Sequence, residues 1–334
     1  MVDFEVPDFF DPANATNVNF SPSLPTIFQY ANEHLKTNDI QQSYADKSRI
    51  ELLLIDCQKD LCFSPYFDSP EQPRGDNAVR IAKFIYKNLP CISYITSLMR
   101  SHFPYQIFSP LWWVNANGEH VGDMTTISSA DLRSGKYRPA PEVSQFASGR
   151  YSWASRQVEH YITSLEGKGY QLCVKPFHCL MGSDGWNMVG IIQEAFWFHC
   201  VTRSTQPNLQ IYENNPWIEC HSAFGSDCLT RWDGKGCLDQ KDTALMLRLL
   251  QNDCLFIAGY SAFHPITATI DDLLRQIMIT DPALAKKVYL LTDCMVPVAT
   301  SDTNIQEVYE RYSDAGINLV SSTETINLNE YRFK

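Results

Sequence analysis

The stretch that decides the fold reads CLFIAGYSAFHPITATIDDLLRQIM, residues 254–278. Its first seven residues, CLFIAGY (254–260), are apolar or small, as in a strand buried on both faces. A short turn follows. ITATIDDLLRQIM (266–278) then carries apolar residues at helical spacing. Strand, turn and helix in that order form the repeating unit of a parallel sheet covered by helices. The turn is also where such folds place chemistry, because a helix N-terminus offers free backbone N–H groups and a positive dipole end. Here the helix opens with Pro265, which has no thiol, no hydroxyl and no backbone N–H.

The same alternation runs outward from this unit. RIELLLID (49–56) is a short apolar run ending in an acid, and CISYITSLM (91–99) is a second strand. GDNAVRIAKFIYKNL (75–89) between them has helical spacing. SWASRQVEHYITSLEGKG (152–169) reads as a helix with a glycine stop, YQLCV (170–174) as the third strand, and GWNMVGIIQEAFWFHC (185–200) as a helix. DTALMLRLLQN (242–252) precedes the strand at 254, and KKVYLLTD (286–293), TNIQEVYERYSDAG (303–316) and INLVSST (317–323) follow as strand, helix and edge strand. Residues 100–150 and 203–240 read as long irregular inserts. Residues 1–48 form a polar lead with one helix near Pro25–Leu35. The expected fold is therefore a doubly wound, three-layer α/β/α parallel sheet (49–334) wrapped by an N-terminal extension (1–48). Its ligands belong at the carboxyl ends of the strands, near Asp56, Leu98, Val174, Tyr260 and Asp293.

Composition narrows the function. The 334 residues carry a formal net charge of -11, and no basic run occurs, which opposes binding to nucleic acid or to an anionic membrane surface. Hydrophobic residues make up 44%, enough for a large core. Eleven cysteines are scattered without a framework, and neither a signal-peptide pattern nor a bilayer-length apolar run is present. These features lead to the expectation of a reducing, cytoplasmic home.

Five segments, in order, resemble the isochorismatase-like cysteine hydrolases, in particular the larger nicotinamidase-related members. LLLIDCQKDLC resembles their opening strand with its Asp. KPFHCLMGSDG is similar to their segment after the third strand, and VTRSTQP…HSAF to their lysine segment. IAGYSAFHPITATIDD resembles the nucleophile segment, and DPALAKKVYLLTDCMVPV the last strand. The aromatic HFPYQIFSPLWW insert is similar to one in the larger members. The resemblance implies an Asp–Lys–Cys triad, in which the Asp takes the thiol proton, the Lys lowers the thiol pKa and the Cys attacks an amide carbonyl. Carried over, these positions are Asp56, Arg203 and Pro265. Ser261 falls at the oxyanion-hole position, and His102, His178, Cys179 and His264 fall in the pocket. Proline removes both the attacking sulfur and a backbone N–H of the oxyanion hole, and one such donor is worth ~3–4 kcal/mol.

The resemblance also implies a divalent metal held by an Asp-x-His element and two further histidines. The first element reads Arg100-Ser101-His102, the second His falls near Phe108 or Ser109, and the third is His178. A cation stands where the metal needs an anion, so the expectation is no metal of the family type and no cofactor. A residual zinc site using Cys179 or Cys57 has no diagnostic spacing.

Each residue also has a plainer reading. Asp56 is a capping acid, or Arg203 forms a structural salt bridge to it. His264 packs in the turn, Cys57, Cys62 and Cys294 are buried thiols, and Trp112 and Trp113 form an aromatic lid over the core. Two functions follow. The first is a catalytically inactive protein of this fold with a binding or assembly role, whose partners are a small molecule in the degenerate pocket, another protein or further copies of itself. The second is a thiol-independent isochorismatase-type hydrolase, with Asp56 as general acid and Arg203 holding a substrate carboxylate.

Overall fold

The computed structural model describes residues 5–38, 40–63, 71–260, 265–295 and 305–323. Within these, the helices are α1 (Leu24–Thr37), α2 (Lys59–Phe63), α3 (Glu71–Lys87), α4 (Ser129–Ser134), α5 (Tyr151–Glu166), α6 (Gly190–Arg203), α7 (Thr243–Leu250), α8 (Pro265–Thr280) and α9 (Ile305–Asp314). The strands are β1 (Ile50–Ile55), β2 (Tyr94–Arg100), β3 (Trp113–Asn115), β4 (Thr126–Ile127), β5 (Tyr137–Pro139), β6 (Leu172–Cys173), β7 (Asn208–Tyr212), β8 (Cys254–Gly259), β9 (Val288–Met295) and β10 (Asn318–Val320). The chain forms two compact units. The first comprises 1–99, 187–210 and 243–334; the second comprises 100–186 and 211–242. The N-terminal residues 1–48 belong to the first unit.

The first unit is built on a six-stranded sheet of order β10-β9-β8-β1-β2-β7. β1 pairs in parallel with β2 and with β8, β8 with β9, and β9 with β10. The doubly wound fold expected from the alternation is present. The chain winds outward from β1 through β2 and returns through β8, so the order reverses between β1 and β8. That is the switch point where such sheets open a crevice. β1 and β8 are buried along their whole length, which explains their unbroken apolar runs. The exception is Glu51, a fully buried carboxylate inside β1. Arg248 reaches both its oxygens at 3.1 Å, and Thr96 and Asn252 donate to it at 2.5 Å. Those bonds replace the water that a buried charge gives up.

The third strand is not where the sequence places it. YQLCV contributes only β6, which pairs antiparallel with β4 outside the main sheet, so Val174 does not end a sheet strand. The sheet strand is β7, NLQIY, inside the segment read as a loop. It is an edge strand with Leu209 and Ile211 exposed, and polar and apolar residues alternate only over Asn208–Ile211. It therefore lacks the apolar run that marks an interior strand.

Helices α3 and α6 pack on each other, and α1 packs on α6. The N-terminal residues seal this layer. Phe9 lies 4.8 Å from Tyr30 and 5.6 Å from Phe198, ring centre to ring centre. A Cβ on Gly190, the first residue of α6, would fall 2.6 Å from the Phe20 carbonyl oxygen, so only glycine admits this approach. Elsewhere in this unit, α7 packs on α8 and on β8.

The second unit holds the aromatic insert. Trp112 and Trp113 are fully buried, and Trp112 meets Trp217 edge-on at 5.0 Å. Trp217 in turn meets Trp153 of α5 at 5.4 Å. These tryptophans are the core of this unit. Two small antiparallel sheets, β3–β5 and β4–β6, complete it.

Candidate functional site

In the first unit the switch point is lined by the ends of β1 and β8. Asp56 follows β1, is almost wholly buried, and has φ of 55°, a left-handed conformation costly for a non-glycine residue. Its N–H donates to the Leu98 carbonyl at 3.2 Å, and its own carbonyl accepts from Gln58 N–H at 2.8 Å. β8 approaches so closely that a Cβ on Gly259 would run into the Ile55 carbonyl. Tyr260 N–H donates to the same carbonyl at 3.0 Å. Pro265 opens α8. Ser261 and His264 lie outside the described residues.

Two thiols in this region, Cys57 and Cys294, are shifted away from the thiolate. Burial, then the neighbouring Asp56 and Cys294, push the Cys57 thiol well above its usual range. Cys294 is pushed up to about 12, by burial and then by Asp293. A nucleophilic cysteine needs the opposite shift. Burial also raises the Tyr260 phenol well above its usual range, with Cys62 and Cys57 adding to the effect. Lys59, three residues after Asp56, is a buried cation that the motif reading passed over. The composition of CQKDLC gives no sign that this lysine points inward.

Arg203 is not at this end of the sheet. It closes α6 and is 1% exposed. Its Nη2 reaches the two oxygens of Asp46 at 2.6 and 2.5 Å, and its Nη1 donates to the Gln41 carbonyl. Its Nε donates to the Ile92 carbonyl at 3.3 Å, just before β2. Asp46 is further held by Ser93, whose hydroxyl donates to it at 2.5 Å and accepts from Ile50 N–H at 3.2 Å. Arg203 therefore sits at the amino end of β1 and β2. Asp56 lies beyond their carboxyl end, six residues along β1, or about 20 Å away at the rise of a parallel strand. The expected Asp56–Arg203 pair does not form. Arg203 forms a structural salt bridge, but to Asp46 and not to Asp56 as expected.

In the second unit, the pocket histidines do meet. His102 and His178 stand edge to face at 4.5 Å, and His102 meets Phe108 at 4.8 Å. His102 Nδ1 is 2.8 Å from the His178 carbonyl oxygen, and its Nε2 is 2.9 Å from Glu213 Oε2. Both partners offer acceptor oxygens, so both ring nitrogens of His102 are engaged within the protein. Burial, with His102 and Lys175 beside it, holds His178 well below its usual pKa, so it is neutral near pH 7. Cys179 is buried with φ of 48°, and its carbonyl accepts from His102 N–H at 2.9 Å.

Glu213, the residue after β7, organises this cluster and was not singled out in the sequence. Arg100 Nη1 meets its Oε2 at 2.8 Å, and Cys220 N–H donates to its Oε1 at 2.5 Å. Gln106 donates to its carbonyl at 2.7 Å. Burial alone would raise this carboxyl, but Arg100 and His102 outweigh it and hold it well below the ordinary carboxylate range. The implied metal set does not fit: a guanidinium occupies the acid's position, and both nitrogens of His102 already face protein oxygens. Ser109, one candidate for the second His, is buried with its hydroxyl. Among the described residues, no group of three or more His, Cys, Asp and Glu side chains is placed to hold an ion.

No family profile and no curated protein matches the chain. Solved structures similar to it include the yeast nicotinamidase bound to nicotinaldehyde, at 17% identity over 81% of this chain and 99% of that one, with a TM-score of 0.48. The pyrazinamidase of Pyrococcus horikoshii in complex with zinc is 14% identical over 82% of this chain and 99% of the other, with a TM-score of 0.43. An isochorismatase family protein of Desulfovibrio vulgaris is 15% identical over 83% and 96%, with a TM-score of 0.40. Among the described residues, no helix is long and apolar enough to cross a membrane.

Proposed function

We propose that this chain is a non-catalytic protein with an isochorismatase-like fold, retained for binding or assembly. One observation carries the reading. The cation that the resemblance assigns to the triad, Arg203, is spent on Asp46 and two backbone carbonyls at the amino end of the sheet. Asp56 is left without that partner, Pro265 supplies no nucleophile, and burial pushes the Cys57 and Cys294 thiols up, away from the thiolate. Each loss alone weakens hydrolysis, and together they weigh against a route through a thiolate. The rival reading, a thiol-independent hydrolase, loses its carboxylate clamp with the same displacement of Arg203. A small ligand, a protein partner and self-association remain parts of the proposal.

The test is turnover. Wild type and Asp56→Asn are incubated with nicotinamide, pyrazinamide, small aliphatic amides and isochorismate, and products are separated by chromatography. No product above the buffer control is expected from either. Turnover by wild type that disappears in Asp56→Asn would overturn the reading.

A further inference from the structure

We infer that the guanidinium of Arg100 is a built-in replacement for a dication in the second unit, so that its buried histidine cluster is held together without any metal. The resemblance sets a metal here, but the donors on this chain have been reassigned. Arg100 ends β2, with its side chain buried on Glu213 at 2.8 Å and its guanidinium over the Tyr212 ring at 5.3 Å. Glu213 has a side chain with no exposed surface. Its backbone, at φ of 61°, is in a region a non-glycine residue leaves unless its surroundings hold it there. The surroundings are the Arg100 ion pair, the His102 bond at 2.9 Å, the Cys220 N–H at 2.5 Å and the Gln106 bond at 2.7 Å.

The arrangement does a metal's structural work. A dication would gather a carboxylate and two imidazoles around itself. Here a carboxylate is the centre, and it gathers a guanidinium and an imidazole. His102 then fixes the His178 segment through its other nitrogen at 2.8 Å. Arg100 suits the role because its charge is permanent and its planar fork matches a carboxylate. This inference does not rest on whether the chain turns over any substrate.

Two measurements test it. In the first, wild type is exhaustively treated with chelator and melted with and without Zn2+ or Mn2+. The melting temperature is expected to stay the same. A fall on chelation that either ion restores would overturn the inference. In the second, Arg100→Glu, Glu213→Arg and the double variant are compared. Each single reversal leaves like charges buried together and is expected to lower the melting temperature by on the order of 10 °C. The double variant restores only the ion pair, because an arginine at 213 accepts neither the His102 nor the Cys220 bond, so its loss should be smaller than the sum of the two single losses without returning to wild type. Strictly additive losses would contradict the inference. Should the single reversals fail to accumulate, Arg100→Lys and Glu213→Gln supply the same comparison. The lysine variant keeps the charge and should retain more stability than the glutamine variant, and an equal loss would overturn the inference.

Discussion

Glu194 shows how a single buried group in this fold ties stability to pH. It lies on the inner face of α6, and Tyr86 of α3 donates to its Oε1 at 3.4 Å. Burial raises its pKa from 4.5 to about 7, with Asp11 of the N-terminal residues pushing the same way against the Tyr86 bond. The folded state therefore holds a proton between pH 4.5 and about 7 that the unfolded chain has released. Stability from this group is present below pH 4.5 and is lost as the pH rises through about 7. Glu194→Gln mimics the protonated form. It is expected to raise stability by about 2 kcal/mol at pH 8 and to change little at pH 4.5. Urea melts at the two pH values check this; an equal effect at both would count against the assignment. Asp56 was legible in the sequence because an acid closing an apolar run is uncommon. Glu213 was not, since it follows an edge strand and nothing in IYENNPW separates it from a turn acid. Arg203 was read as an ion-pairing cation with Asp56, but its partner Asp46 lies 157 residues away, in a segment read only as a wrap.

At the scale of elements, the N-terminal residues depend on close approach to α6. Phe20 rests on Gly190, and Thr16 comes near enough to Gly75 that a Cβ there would meet its methyl at 2.7 Å. Gly190→Ala puts a methyl against the Phe20 backbone as well as its ring, so the neighbour cannot yield by a rotamer change alone. The expected cost is about 1–3 kcal/mol, the range for overpacking. Limited proteolysis should show faster cleavage before residue 48 in this variant while the sheet stays protected. Unchanged cleavage would mean that Phe20 is not what anchors this segment. The elements themselves were mostly readable. Apolar runs gave β1, β2, β8 and β9, and helical spacing gave α3, α5, α7 and α8, within a few residues. β7 and β6 were exchanged because an interior run was sought where the sheet has an edge. The small elements within 100–150 are two to seven residues long, too short for a period to appear.

At the scale of the whole molecule, the charged residues of the recognisable motifs hold structure. Arg203 joins the N-terminal residues to the start of the sheet, and Arg100 joins β2 to the residue after β7. Each is a buried ion pair, whose rupture by truncating one partner costs roughly 3–5 kcal/mol. Composition already pointed to a large core, and motif order to the fold; neither carries information on which acid a buried arginine chooses. That choice is the central claim, and a thermodynamic cycle measures it. Arg203→Leu is combined first with Asp46→Asn and then with Asp56→Asn, and unfolding free energies are compared. A coupling of about 2–3 kcal/mol is predicted with Asp46, and one within about 0.5 kcal/mol of zero with Asp56. Coupling to Asp56 above about 1 kcal/mol, with none to Asp46, would contradict the account.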